Sequence, residues 1–275
     1  MTAVVSPQVE VLPAVPTGAV DVLPGISIYD TQVYAVSETV VLENQGPGDA
    51  SDIEMYLALP RTITPLQARL SLSIDPPDYT IIVDEFLNEY ALVSIPVIKA
   101  GDTMAVTASF RMAINGITVN TGNCMGELPQ HDTEPEQYLE ADAPQVMQLS
   151  GELAEGKPNA CAVSRSFYDY VRLNMEYDDF NPGSIGALQT LQTMSGDCTE
   201  YADLTIALNR AAGIPAQYVD GVTCCTNSGY DAGVNKHNWA LIYLPNVGWV
   251  PMDPTWGKNS ASGDAYFAAI TPDHI

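Results

Sequence analysis

The sequence predicts an α+β protein, with an N-terminal antiparallel β-sandwich followed by helices packed on an antiparallel sheet. Three observations predict it. Residues 26–119 alternate short β-branched runs with turn residues, residues 142–212 place apolar side chains at helical spacing, and residues 217–253 return to short strands around the hairpin loop LPNVG. At 275 residues the chain exceeds the usual single-domain length, so two folding units are expected.

The amino end, residues 1–24, has no basic n-region and is broken by Pro7, Pro13, Pro16 and Pro24. It fits neither a signal peptide nor a membrane-spanning helix and reads as an extended leader or tether. Such a leader could follow an anchor or export signal, and an extracellular or cell-envelope setting is expected over a cytoplasmic one. Residues 25–120 carry the sandwich, as YAVSETVVLEN, IEMYLALP, ARLSLSID, YTIIVD, YALVSIPVI and MAVTASFRMAI. No Cys or His lies in residues 26–119, so this unit reads as scaffold or recognition module.

Residues 121–275 form the second unit. It opens on a Gly-, Pro- and acid-bearing linker in which His131 reads as a solvated side chain. Asp142 is placed to cap a helix ending at Gly156. A second helix, with Val163, Phe167, Tyr170, Val171 and Met175 on one face, runs to about Tyr177, and Ser184 is placed to cap a short third carrying Ile185, Leu188 and Leu191. A fourth helix starts at Cys198, with Tyr201, Leu204, Leu208 and Ala211 along one stripe, and Gly213 and Pro215 end it. Strands QYVDGV, HNWALIYL and GWVPMD follow.

Thirty-four acids against 10 bases give a formal charge of −24. That balance repels nucleic-acid backbones and anionic headgroups, so neither nucleic acid nor membrane insertion is expected. Five cysteines without a CxxC pair argue against a zinc ribbon, no DxDxDG calcium loop is present, and no metal or cofactor is expected. The odd count leaves at least one thiol outside any intrachain pairing. Cys224 and Cys225 read as two ordinary thiols, because ring strain disfavours a vicinal disulfide.

Cys198 follows a glycine and an acid at a helix start, where unpaired N–H groups and the helix dipole favour a thiolate. A thiolate enzyme also needs a base and a group to orient it. Of the three histidines, His131 lies in the linker, His274 lies next to the last residue, and His237 opens a strand. If Leu244 to Gly248 form a hairpin loop, Tyr243 faces Trp249 and Trp239 faces Asp253. His237 then lies diagonally across from Asp253, about 7 Å away between backbones, a gap the side chains can close. Each residue has a plainer reading: Cys198 as a small buried group, His237 as a strand-edge side chain, Asp253 as a turn acid before Pro254. Three suitable residues in suitable places favour the catalytic reading.

The blocks GDCTEYADLTIALNRAAGIPAQYVDGV and HNWALIYLPNVGWVPMDPTWG resemble the core of the transglutaminase-like superfamily over about Ser184 to Gly257. The resemblance rests on a Gly-x-Cys at a helix start, a GIPA turn, an HxW strand and a GWxxxDPT strand. It implies a papain-like core, with the Cys-His-Asp triad carried onto Cys198, His237 and Asp253, and a protein or peptide substrate. Leu241 and Gln217 stand where many relatives have an acid and an arginine, departures that bear on substrate choice. The Cys198 backbone N–H is the natural oxyanion donor, and Gln189, Gln192 or an indole is a candidate for the second. Trp239 and Gln192 are the expected substrate-binding residues, with Trp249 and Trp256 as further candidates for the cleft wall. The expected chemistry is acyl transfer through a Cys198 thioester, ending in hydrolysis as in a cysteine peptidase or amidase. The alternatives are amine cross-linking and a binding or envelope module with an inactive site.

Overall fold

A computed structural model describes residues 2–12, 25–122, 124–178, 183–224, 235–261 and 263–275. Residues 13–24 of the leader and Cys225 lie outside the described residues.

The N-terminal unit is a sandwich of two antiparallel sheets. One is built from β1 (Thr2–Leu12), β2 (Ile26–Glu43), β7 (Thr103–Val119) and β4 (Gln67–Asp75), the other from β3 (Ala50–Leu59), β6 (Glu89–Ile98) and β5 (Tyr79–Val83). Alternation along the strands turns Val40, Leu42, Met55, Leu57, Ile74, Val93, Ile95 and Val106 into the space between the sheets. One correction concerns the leader. Thr2–Leu12 is not a free tether: it pairs with β2 from Thr2↔Glu43 to Leu12↔Val33. Pro7 is tolerated because β1 is an edge strand, with β2 as its neighbour on one side.

In the second unit, α1 (Pro144–Ala154), α2 (Ala160–Asn174) and α3 (Gly186–Thr193) surround α4 (Cys198–Ala211) on one side, and the sheet β10 (Ala216–Thr223), β11 (Asn235–Leu244), β12 (Gly248–Met252) covers the other. Because α4 is enclosed from both sides, it is buried all round from Glu200 to Arg210, beyond the single stripe its spacing predicts. Three helix ends differ from expectation. Pro144 occupies the first turn of α1, so Ala143 and not Asp142 is the N-cap. The α2 helix stops at Asn174, because Glu176–Tyr177 (β8) leaves to pair in parallel with Ser195–Gly196 (β9). Ile185 takes the N-cap position of α3, while Ser184 Oγ accepts from Gly186 N at 3.3 Å and donates to Asp203 Oδ2.

Past β12 the chain forms a short helix, α5 (Pro254–Gly257), and returns to the sandwich as β13 (Ala269–Ile270), which pairs with β7. Residues 271–275 then lie as a strap along β10, with Ile275 and Val222 exchanging backbone hydrogen bonds. The expected boundary near residue 120 is therefore crossed by the C-terminal segment. A disulfide joins Cys124 to Cys161 of α2, and Cys224 is buried.

Candidate active site

Cys198 is the first residue of α4, and its placement follows from the residues around it. The Asp197 carboxylate caps the helix, accepting from Thr199 N at 2.8 Å, while Glu200 reaches back to accept from Asp197 N at 3.0 Å. Glu200 folds so closely over Gly196 that a Cβ there would stand 2.4 Å from Glu200 Cβ. A side chain at 196 would thus unseat the cap that sets the helix start. The thiol is half-buried and lies 3.6 Å from Asn238 Oδ1, which also accepts from Thr199 Oγ1 at 3.2 Å.

The hairpin supplies the histidine. Tyr243 faces Trp249 as the loop length predicts, and Ala240 faces Met252, which places Asp253 just past the last ladder pair. His237 Nε2 donates to Asp253 Oδ2 at 2.8 Å, and the Cys198 thiol lies near enough to the same ring to favour its charged form. Since Nε2 is engaged by the carboxylate, the nitrogen left for the sulfur is Nδ1. The ring is held in place by Trp239, stacked on it at 5.8 Å between centroids, and by Trp256 at 5.7 Å.

Asp253 is fully buried and has no spare acceptor facing solvent. Its Oδ1 caps α5 by accepting from Trp256 N at 3.1 Å, and Oδ2 accepts from both His237 and His274 Nε2, the latter at 3.1 Å. Burial alone would raise this carboxyl, but the charge and hydrogen bonds of His237, with those of His274, hold it well below the usual carboxylate range. For His237, burial opposes the charged form. The charge and hydrogen bond of Asp253, with the neighbouring Cys198 thiol, outweigh it and raise the imidazole to about 8. The donor atoms of His237, Asp253 and His274 lie within 4.8 Å of one another, which is the span of this hydrogen-bonded network. A cation held there would have to displace both Nε2 protons from Asp253.

Of the residues expected from sequence, Cys198, His237 and Asp253 come together. Trp239 is buried against His237, so in this structure it supports that ring. Gln192 and Gln189 sit exposed on α3. Trp249 packs edge-on to Tyr243 at the loop end of the hairpin, away from the triad. Sequence reasoning missed Asn238 and His274. The first lies inside the HxW motif, where its place between two marked residues is the available signal. The second carries no local signal, because the return of the strap brings it to Asp253. A cleft of about 490 Å³ runs between sandwich and core, lined among others by Arg61, Phe86, Asp132, Tyr218, Trp239 and His274, while Cys198, His237 and Asp253 lie outside its lining.

Comparison with known proteins bears on residues of this same region. Residues 147–254 match the model of the transglutaminase-like superfamily. A stretch of 75 residues is 35% identical to the uncharacterized protein YebA of Bacillus subtilis (strain 168), covering 24% of this chain and 10% of that protein. The chain thus matches about a tenth of the length of that curated relative. Among solved structures, a putative cysteine protease from Cytophaga hutchinsonii superposes with a TM-score of 0.61 at 18% identity, over 84% of this chain and 78% of that one, a likeness of fold. The periplasmic domain of TgpA from Pseudomonas aeruginosa gives 0.43 at 16% identity, over 95% and 92% of the two chains. Residues 147–254, the stretch that resembles the core of the transglutaminase-like superfamily, thus hold the Cys198 helix, the His237 strand and Asp253.

Proposed function

We propose that this chain is a cysteine-dependent acyl-transfer enzyme that hydrolyses a peptide or side-chain amide through a Cys198 thioester. One observation carries the reading: His237 is hydrogen-bonded to the buried Asp253 carboxylate, with the Cys198 thiol near enough to its ring to favour the charged form. In the first step Cys198 Sγ attacks the amide carbonyl as its proton passes to His237 Nδ1. The backbone N–H of Cys198, in the first turn of α4 where amides have no intrahelical acceptor, faces the developing oxyanion. His237 returns the proton to the departing nitrogen, the C–N bond breaks, and the acyl group stays on sulfur. Water, giving a proton to the neutral imidazole, then attacks the thioester, releasing a carboxylic acid and restoring the thiol. Asp253 holds the ring with Nε2–H toward itself throughout, which keeps Nδ1 turned to sulfur.

The substrate is proposed as a protein or peptide, in line with the match of residues 147–254 to the superfamily, and Trp239 and Gln192 are carried here as the proposed substrate-side residues. The Cys124–Cys161 disulfide supports an extracellular or envelope setting, where such bonds persist. The test is a panel of peptide and glutamine amides, each with and without a primary amine, comparing wild type with Cys198→Ala. Release of ammonia or peptide that vanishes in the alanine variant is expected. Release that persists there would end the mechanism, and incorporation of the amine would make the enzyme a cross-linking transferase.

A further inference from the structure

We propose that His274 is a positioning residue of the triad, an imidazolium bridging Asp273 to Asp253 that clamps the Asp253 carboxylate against His237 and holds a positive charge beside it. The inference rests on the acyl-transfer reading of the site.

The geometry requires the charge. His274 Nε2 lies 3.1 Å from Asp253 Oδ2 and Nδ1 lies 2.9 Å from Asp273 Oδ1. An ionised carboxylate only accepts, so each ring nitrogen facing one must carry a proton, and two protons make an imidazolium. A neutral ring would turn a lone pair onto one of the two oxygens, and the Thr271 hydroxyl, 3.3 Å from Nδ1, gives its proton to Asp273 Oδ1 and so offers that lone pair none. His274 is buried, boxed by Trp239, Trp256 and Tyr266 at centroid distances of 5.2, 4.6 and 6.1 Å, and therefore cannot exchange these acceptors for water. The ring is delivered by the strap, fixed on β10 through Ile275 and Val222 and through Cys224 N donating to Asp273 O.

The titratable and charged groups around it are Asp273 on the strap, Asp253 after β12, His237 on β11 and Tyr266 before β13, with Tyr29 of β2 close to Asp273 and Tyr168 of α2 close to Asp253. Burial opposes protonation of His274, and hydrogen bonds to Asp253 and Asp273 overcome it, raising the imidazole to about 9. The same cation works against charge on His237. His274 thus does two things through Asp253: it fixes the carboxylate rotamer, and it keeps His237 from holding its proton too tightly to release it.

The test follows both rings by NMR of 15N-histidine-labelled full chain, with alkylation of Cys198 by iodoacetamide in parallel. In wild type His274 keeps two N–H protons beyond the titration midpoint of His237. His274→Gln retains a donor but loses the charge, and Asp273→Asn removes the anion that holds it. In each, the His237 midpoint should rise by at least about 0.5 in pH. His274→Ala, which loses donor and charge together, should slow Cys198 alkylation at least about tenfold, with His274→Gln recovering most of the rate. A His274 that is neutral at pH 7, or folded Gln and Asn variants with an unmoved His237 midpoint, would overturn the inference. Should the alanine variant fail to fold, Asp273→Asn still decides, since Asp273 is partly exposed. If alkylation of the wild-type thiol is indifferent to His237→Ala, the acyl-transfer reading itself fails.

Discussion

Replacing Asp253 by Asn isolates the electrostatic core of the site. Three N–H donors converge on the carboxylate: Trp256 N on Oδ1, and the Nε2–H groups of His237 and His274 on Oδ2. An amide of the same shape offers one accepting oxygen and one donating nitrogen, so in either rotamer at least one buried N–H faces another. Leaving such a group unmatched costs about 1–3 kcal/mol, so a melting-temperature loss of several degrees is expected. The effect on His237 is sharper. Its imidazole is raised to about 8 against burial, which opposes the charge, and Asp253 supplies most of what overcomes it. With the anion gone, burial prevails and the midpoint falls below the ordinary 6.5. A fall of that size removes at least about 2 kcal/mol of stabilisation of the imidazolium. At pH 7.5 the ring goes from about three-quarters protonated to about a tenth or less. The assay is the pH titration of His237 in 15N-histidine-labelled protein, with His237→Gln to assign the signal. A midpoint that stays near 8 in the Asn variant would refute the reasoning, because the charge would then come from elsewhere.

Two further predictions test how the surroundings hold the site. Gly221 faces His237 across the β10–β11 ladder, and a Cβ there would stand 2.5 Å from the Trp239 ring and 2.6 Å from the Ile275 carbonyl. Gly221→Ala should therefore push the strap or the indole off His237, costing about 1–3 kcal/mol in thermal unfolding and slowing Cys198 alkylation; unchanged stability and reactivity would contradict this packing. Asp203 on α4 is raised to about 7, chiefly by burial, with the charges of Glu200, Glu140 and Asp197 adding and the Ser184 hydrogen bond opposing. A carboxyl raised on folding binds its proton more tightly in the native state, so it weakens the fold as pH climbs from 3.8 to 7. Asp203→Asn keeps an acceptor for Ser184 and should raise the melting temperature at pH 7.5 by a few degrees while leaving it unchanged at pH 3.5; equal shifts at both would assign the effect to something other than charge.

The parts of this architecture that were legible in sequence are those written locally. The Gly196-Asp197-Cys198 start is a capping box with a glycine that Glu200 needs, and the LPNVG loop length sets the register that brings His237 to Asp253. The sandwich strands show their period-two alternation directly. What stayed hidden depends on chain segments that meet only in three dimensions. His274 gains its meaning from a strap that returns along β10. The first strand was obscured by Pro7, which forbids a central strand but not an edge one. The misplaced helix starts at Asp142 and Ser184 have different causes: the local Pro144 set the first turn of α1, whereas the Ser184 hydroxyl, still accepting from Gly186 N, turned its proton to the distant Asp203.

The most direct measurement of the central claim is the rate at which iodoacetamide labels Cys198 at pH 6, read by peptide mass mapping in wild type and in His237→Ala. The account predicts that Cys198 is labelled well ahead of a model thiol such as glutathione, and that the alanine substitution slows it at least about tenfold. Labelling no faster than glutathione, with no response to the loss of His237, would contradict it.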